Sequence, residues 1–150
     1  MCGISGFINK NLPENKKQIL IKGLSELQEH RGPDFSGEWN TSNVHFFHQR
    51  LSLIDGNSRS NQPFFNEDFV LCFNGEIYNF LALKQHLPTV NFTTTSDTEV
   101  LFQYLIHFGI EKTLRDIKGM FAFSFYDVKK KELFLVRDRF GIKPLFFVNN

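Results

Sequence analysis

The chain is poor in cysteine: Cys2 and Cys72 are its only two, and they lie far apart among 150 residues. They form no CxxC pair, which argues against a cysteine zinc site and against a disulfide framework. Charge of one sign is also lacking. The formal net charge is +1, so nothing marks a partner nucleic acid or an anionic membrane surface. There is no basic-then-apolar leader and no apolar run long enough to span a bilayer. Neither GxGxxG nor GxxxxGK[ST] occurs, so no loop of that kind cradles phosphates. The five histidines show no metal-ligand spacing, and His45 and His48, three apart on a predicted strand, face opposite sides. Without an export signal, the glycosylation patterns at Asn40 and Asn91 read as chance. The expectation is a cytoplasmic protein that needs no metal and touches neither nucleic acid nor membrane.

What the chain has in excess is phenylalanine, nineteen in all. The runs at 121–125 and 134–147 are read as core, and Cys72 as a buried apolar filler. The length suits one domain. Residues 2–8 read as a buried first strand. Lys16 to His30 reads as a helix with Leu20, Leu24 and Leu27 on one face, stopped at Arg31-Gly32-Pro33-Asp34. Strands are predicted over Val44 to Arg50, Phe69 to Phe73, Val90 to Thr94, Gly119 to Asp127, Glu132 to Arg137 and from Pro144 to Val148. Phe80 to Leu87 reads as a short helix. Ser96-Asp97-Thr98-Glu99 reads as a capping box opening a helix that Gly109 stops, with a further helical turn at Leu114 to Ile117. Asn74-Gly75 carries a turn signal. Antiparallel-type strands broken by a few helices predict an α+β domain.

The placement of Cys2 carries the most chemistry. With Met1 removed, one residue holds a thiol and a free α-amine, which titrates near about 7.7–8.0 and can accept the thiol proton. Position alone leaves open a second reading, a small apolar residue starting a strand. A thiol nucleophile needs a site for a developing oxyanion, and Asn74 with the Gly75 backbone N–H offers an amide and an N–H donor; a plain turn is the alternative. An amino acid ligand carries a carboxylate and an ammonium. Arg50 suits the first, unless it is a solvated strand-end arginine. Asp97 suits the second, unless it only serves the helix N-terminus. Glu76 is a second ammonium partner or a surface acid.

Seven segments in order carry a resemblance: Met-Cys-Gly-Ile-Ser-Gly at 1–6, His30-Arg31-Gly32-Pro33-Asp34, Arg50-Leu51-Ser52-Leu53-Ile54-Asp55, Phe73-Asn74-Gly75-Glu76-Ile77-Tyr78-Asn79, Ser96-Asp97-Thr98-Glu99-Val100, Gly119-Met120-Phe121-Ala122-Phe123, and the run from Arg137 to Leu145. Together they resemble the glutaminase domain of glutamine-hydrolysing asparagine synthetases, within the class II glutamine amidotransferases, over essentially the whole chain. The resemblance implies a four-layer α/β/β/α sandwich of the N-terminal-nucleophile hydrolase type. It implies Cys2 as nucleophile, Asn74 and Gly75 as oxyanion hole, and Arg50, Asp97 and Glu76 on glutamine, with Leu51, Ser52, Leu53 and Ile54 closing the pocket.

By the same resemblance, 1–150 is an incomplete amidotransferase domain, cut at its C-terminus. A downstream synthetase domain of the same polypeptide, absent here, would use ATP and Mg to amidate aspartate; the glutaminase part needs no cofactor, and a homodimer stays open. Two other readings are carried: a related amidotransferase with another carboxylate acceptor, and a non-catalytic interaction module.

Overall fold

The computed structural model describes residues 2–9 and 11–149. Met1, and with it the question of its removal, lies outside them. The described residues form two antiparallel sheets and three α-helices, with two short 3-10 turns at Glu29–Arg31 and Ser58–Ser60. The first sheet has the order β1 (Gly3–Ile8), β3 (Val44–Arg50), β2 (Phe35–Asn40). The second runs β4 (Phe64–Phe65), β5 (Phe69–Ile77), β6 (Gly119–Asp127), β7 (Glu132–Arg137). Helix α1 (Glu14–Gln28) packs on β1 and β3, while α2 (Phe80–Lys84) packs on α3 (Asp97–Asp116), which lies on β4 and β5. The chain is mixed helix and sheet, as the pattern predicts. No described helix is long and apolar enough to cross a membrane.

Strand alternation divides the apolar residues into two cores. Leu71, Phe73, Ile77, Phe121, Phe123 and Phe125 face α2 and α3 and bury with Leu101, Phe102 and Tyr104. Val44 and Phe46 of β3 meet Val70 and Cys72 of β5 and Tyr126 of β6 between the sheets, with Ile4 against them. The predicted filler Cys72 is thus buried, and burial pushes its thiol up to about 12.

Several expectations are corrected. The chain does not turn at Asn74-Gly75: β5 continues to Ile77, because β6 pairs with it over its whole length, Asn74 opposite Ala122 and Gly75 opposite Phe121. A Cβ at Gly75 would run into the Met120 carbonyl oxygen and the Phe121 backbone, so the glycine serves close strand approach rather than a turn. β1 is an edge strand and buries only Gly3 fully. On α1 the inward residues are Ile21, Leu24, Ser25 and Gln28, while Leu20 and Leu27 are exposed. The cause is polar: Gln28 Nε2 donates to the Ile4 carbonyl and Gln49 Nε2 to the Ser25 carbonyl, each at 3.2 Å.

Residues 90–94 form no strand. The Glu99 carboxylate holds them instead, accepting from Thr93 N and Thr94 N at 3.0 and 2.7 Å. That leaves half of the predicted capping box: Ser96 Oγ accepts from Glu99 N at 3.3 Å, but the Glu99 side chain does not return to Ser96. α3 breaks at Gly109, whose φ of 73° is left-handed, and then runs on to Asp116. From 144 to 148 the backbone is irregular, and Phe146, Phe147 and, before them, Phe140 are exposed rather than core, with no strand among the described residues beside them.

Candidate functional site

The alternation that builds the inter-sheet core also builds the site. Ile4, Phe46 and Cys72 point between the sheets. Side chains two residues further along the same strands point the same way. Those are Cys2 before Ile4, His48 and Arg50 after Phe46, and Asn74 and Glu76 after Cys72. The layer is apolar at one end and polar at the other. At the polar end lies a cavity of about 140 Å³, lined among others by Cys2, Arg50, Leu51, Leu53, Ile54, Asn74, Gly75, Glu76 and Asp97. Of the site residues predicted from sequence, Ser52 alone is not part of this lining. Its backbone N–H donates to Asp34 Oδ2 at 2.7 Å, tying the loop to the start of β2.

Cys2 is half-buried and carries a free thiol. Its Sγ lies 3.4 Å from Leu51 N and 3.7 Å from the Leu51 carbonyl, accepting from the first and donating to the second. The thiol is therefore held at the mouth of the 51–54 loop, whose Leu53 and Ile54 side chains are exposed at the rim.

Arg50 is buried, with 6% of its surface exposed, not solvated at a strand end. Nη1 donates to the Asn57 carbonyl at 2.9 Å and to Asn61 Oδ1 at 2.7 Å, and Nη2 donates to the Asp55 carbonyl. Three of its five N–H donors are so used; Nε and the second Nη2 proton have no hydrogen bond among the described residues. Asp55 extends the same net. Its carboxylate accepts from Thr95 N at 3.0 Å and from Asn57 N at 2.9 Å, and these bonds, Thr95 first, hold its carboxyl well below the usual range. The loop after β3 is thereby pinned to the segment leading into α3.

The outer edge of β5 supplies the donors. Phe73 N–H points away from β6 and donates to Gln62 Oε1 at 2.7 Å; Ile77 N–H does likewise to Asp97 Oδ2 at 2.9 Å. Alternation turns the Gly75 N–H, midway between them, to the same edge. No partner for it is found among the described residues, nor for the side-chain amide of Asn74, although Asn74 is only 5% exposed. Two donors thus open onto the cavity from adjacent residues.

Asp97 is the first residue of α3 and is 4% exposed. Burial pushes its pKa up to about 6, the nearby Glu76 charge adding to the rise and the bond from Ile77 N working against it. A helix N-terminus normally holds an aspartate low; here desolvation wins. A buried carboxylate beside a second one suits a cationic ligand group.

Sequence reasoning assigned no part to Gln62, Thr98 or Lys143, which also line the cavity. Lys143 is 2% exposed. It stands in the run from Arg137 to Leu145 that carries the resemblance, which is its signal in the sequence; Gln62 has none, because its part depends on where β4 begins. No group of histidine, cysteine, aspartate and glutamate among the described residues could hold a metal ion.

Comparison with known proteins finds relatives along nearly the whole chain. The chain is 43% identical to asparagine synthetase [glutamine-hydrolyzing] 2 of Bacillus subtilis, over 98% of this chain and 20% of that protein. It is 41% identical to asparagine synthetase B [glutamine-hydrolyzing] of Escherichia coli, over 97% and 26%, and 38% identical to asparagine synthetase [glutamine-hydrolyzing] 2 of Oryza sativa, over 97% and 25%. It spans a fifth to a quarter of the length of these relatives. The family model of the glutamine amidotransferase domain matches residues 1–150, and the chain belongs to that family.

Proposed function

We propose that the chain hydrolyses glutamine to glutamate and ammonia through a thioester on Cys2, as the first station of a longer asparagine-forming enzyme. The reading rests above all on one observation: the Cys2 thiol, the unpartnered Asn74 amide and the unpartnered Gly75 N–H share one cavity with Arg50 and Asp97. In this reading glutamine lies with its α-carboxylate on the two unused N–H donors of Arg50. Its α-ammonium lies on Asp97 with Glu76 behind, and the backbone of Leu51 to Ile54 covers it. The packing of α1 on one sheet, α2 and α3 over the other, and the sheets against each other supports the four-layer α/β/β/α arrangement of an N-terminal-nucleophile hydrolase.

The chemistry balances within one residue. With Met1 removed, the thiol proton moves to the α-amine of Cys2. The thiolate attacks the side-chain amide carbon, forming the C–S bond and placing charge on oxygen, where Asn74 and Gly75 donate to it. The C–N bond breaks, the α-ammonium returns its proton to the leaving nitrogen, and ammonia departs. Water then opens the thioester, freeing glutamate and the thiol. No cofactor enters these steps. In the longer polypeptide the ammonia passes to a synthetase domain that activates aspartate with ATP and Mg.

Ammonia release by protein lacking Met1 tests the reading. Cys2→Ala abolishes it, and Asn74→Ala lowers kcat about 10²–10³-fold with the fold intact. Equal ammonia release by Cys2→Ala and parent would overturn it.

A further inference from the structure

One buried side chain with no part in the chemistry above ties the two sheets together at the site. His48 lies wholly buried between them. Its Nε2 sits 3.1 Å from the Phe73 carbonyl oxygen, β3 to β5. A carbonyl only accepts, so Nε2 carries the proton and donates. Burial, opposed by this bond and helped by the Arg50 charge, pushes the imidazole down to about 4; the ring is neutral wherever the enzyme would work.

The Phe73 oxygen belongs to the same rigid peptide plane as the Asn74 nitrogen. The other backbone group of Phe73 is also held by a side chain, its N–H on Gln62 Oε1, while Gln62 Nε2 reaches Thr98 Oγ1 at 3.5 Å. Topology explains why. β4 pairs only with Leu71 and Val70, so beyond that point β5 has no neighbouring strand on its outer edge among the described residues. A strand there would order the edge but would consume the Gly75 N–H.

We infer that His48, together with Gln62, is a positioning residue that clamps the β5 edge at Phe73 in place of a neighbouring strand, so that the Asn74 amide and Gly75 N–H stay aimed at the Cys2 thiol. The inference rests on the glutaminase reading for its kinetic consequence, but the clamp itself does not. His48 Nδ1 is buried without a partner, which opposes folding. An apolar side chain would avoid that cost yet could not hold the Phe73 oxygen. Retaining the histidine therefore favours aim over stability.

The test uses two amides of different reach in the full chain. Gln sets its donor near the position of imidazole Nε2; Asn falls short of it. His48→Asn lowers kcat for glutamine hydrolysis about 10–100-fold with KM little changed, and accelerates amide hydrogen exchange at Phe73 and Asn74. His48→Gln recovers most of kcat and the parental exchange. The inference is overturned if both variants lose kcat alike, if the loss simply follows the melting temperature, or if exchange in His48→Asn equals that of the parent. Should the parent release no ammonia, the glutaminase reading falls while the exchange comparison still judges the clamp. If His48→Asn does not fold, Gln62→Met removes the second anchor at similar volume and carries the same expectation and the same refutation.

Discussion

Asp97 should oppose folding and yet be needed to hold the ligand, and the two effects separate in one substitution. Its carboxyl is pushed from 3.8 up to about 6, first by burial. The folded state therefore holds the proton more tightly than the unfolded chain does. Ionising Asp97 costs nothing below pH 3.8, costs progressively more as pH rises to about 6, and the full amount above that. At roughly 1.4 kcal/mol per unit, the shift amounts to about 3 kcal/mol at pH 7 as an upper bound. Asp97→Asn keeps an oxygen to accept from Ile77 N and removes the charge. It should raise the melting temperature at pH 7 by about 6–12 °C for a domain of this size, and the gain should fade as pH falls toward 4.

In a Cys2→Ala background, where glutamine binds without reacting, calorimetry should find the opposite sign for binding. Asp97→Asn loses the charge that pairs with the ammonium and should weaken glutamine by about 2–5 kcal/mol, roughly 30-fold or more. The Cys2→Ala protein itself should lose about tenfold in affinity for each pH unit below about 6, as Asp97 takes up its proton, while the double variant stays flat. A double variant that melts no higher at pH 7, or binds glutamine as tightly as Cys2→Ala alone, refutes the assignment. So does affinity that is level in pH through that range.

Other substitutions read other parts of the site. Arg50→Lys replaces a fork by a point charge that cannot serve the Asn57, Asn61 and Asp55 oxygens at once; KM for glutamine should rise about tenfold or more, at one lost bidentate contact, and thermal melting should shift down, whereas an unchanged KM would remove Arg50 from the carboxylate. Gly75→Ala sets a Cβ against the Met120 carbonyl and the Phe121 backbone; denaturant unfolding should show a loss of about 1–3 kcal/mol, and an undisturbed midpoint would mean that the strands have room to spare.

Much of the site was legible because its chemistry is local. A cysteine at position 2, an Asn-Gly pair and an arginine ending a strand-forming run can each be read one residue at a time. The strands Val44–Arg50, Gly119–Asp127 and Glu132–Arg137 were legible for the same reason: their aromatic and branched residues favour an extended backbone within the segment itself. Illegible were features that depend on a distant neighbour. Asn74-Gly75 has the letters of a turn, and only pairing with β6 keeps it extended. Leu20 and Leu27 look like the inner face of α1, yet bonds between Gln28 and Ile4, and between Gln49 and Ser25, rotate them outward. Phe35 to Asn40 gave no signal strong enough to mark β2, because its residues are mostly exposed and pairing with β3 holds them.

Residue order alone determined which functional groups this protein carries and the period at which they alternate, since covalent sequence sets side-chain identity and strand geometry sets the two-residue repeat. Tertiary structure alone decided that Cys2, Arg50 and Asn74 meet at one end of the inter-sheet layer, that Asp97 is dry enough to titrate near 6, and that the Gly75 N–H is left unspent. These are properties of a neighbour's position, of excluded water and of where β4 stops, and none of them belongs to any residue by itself.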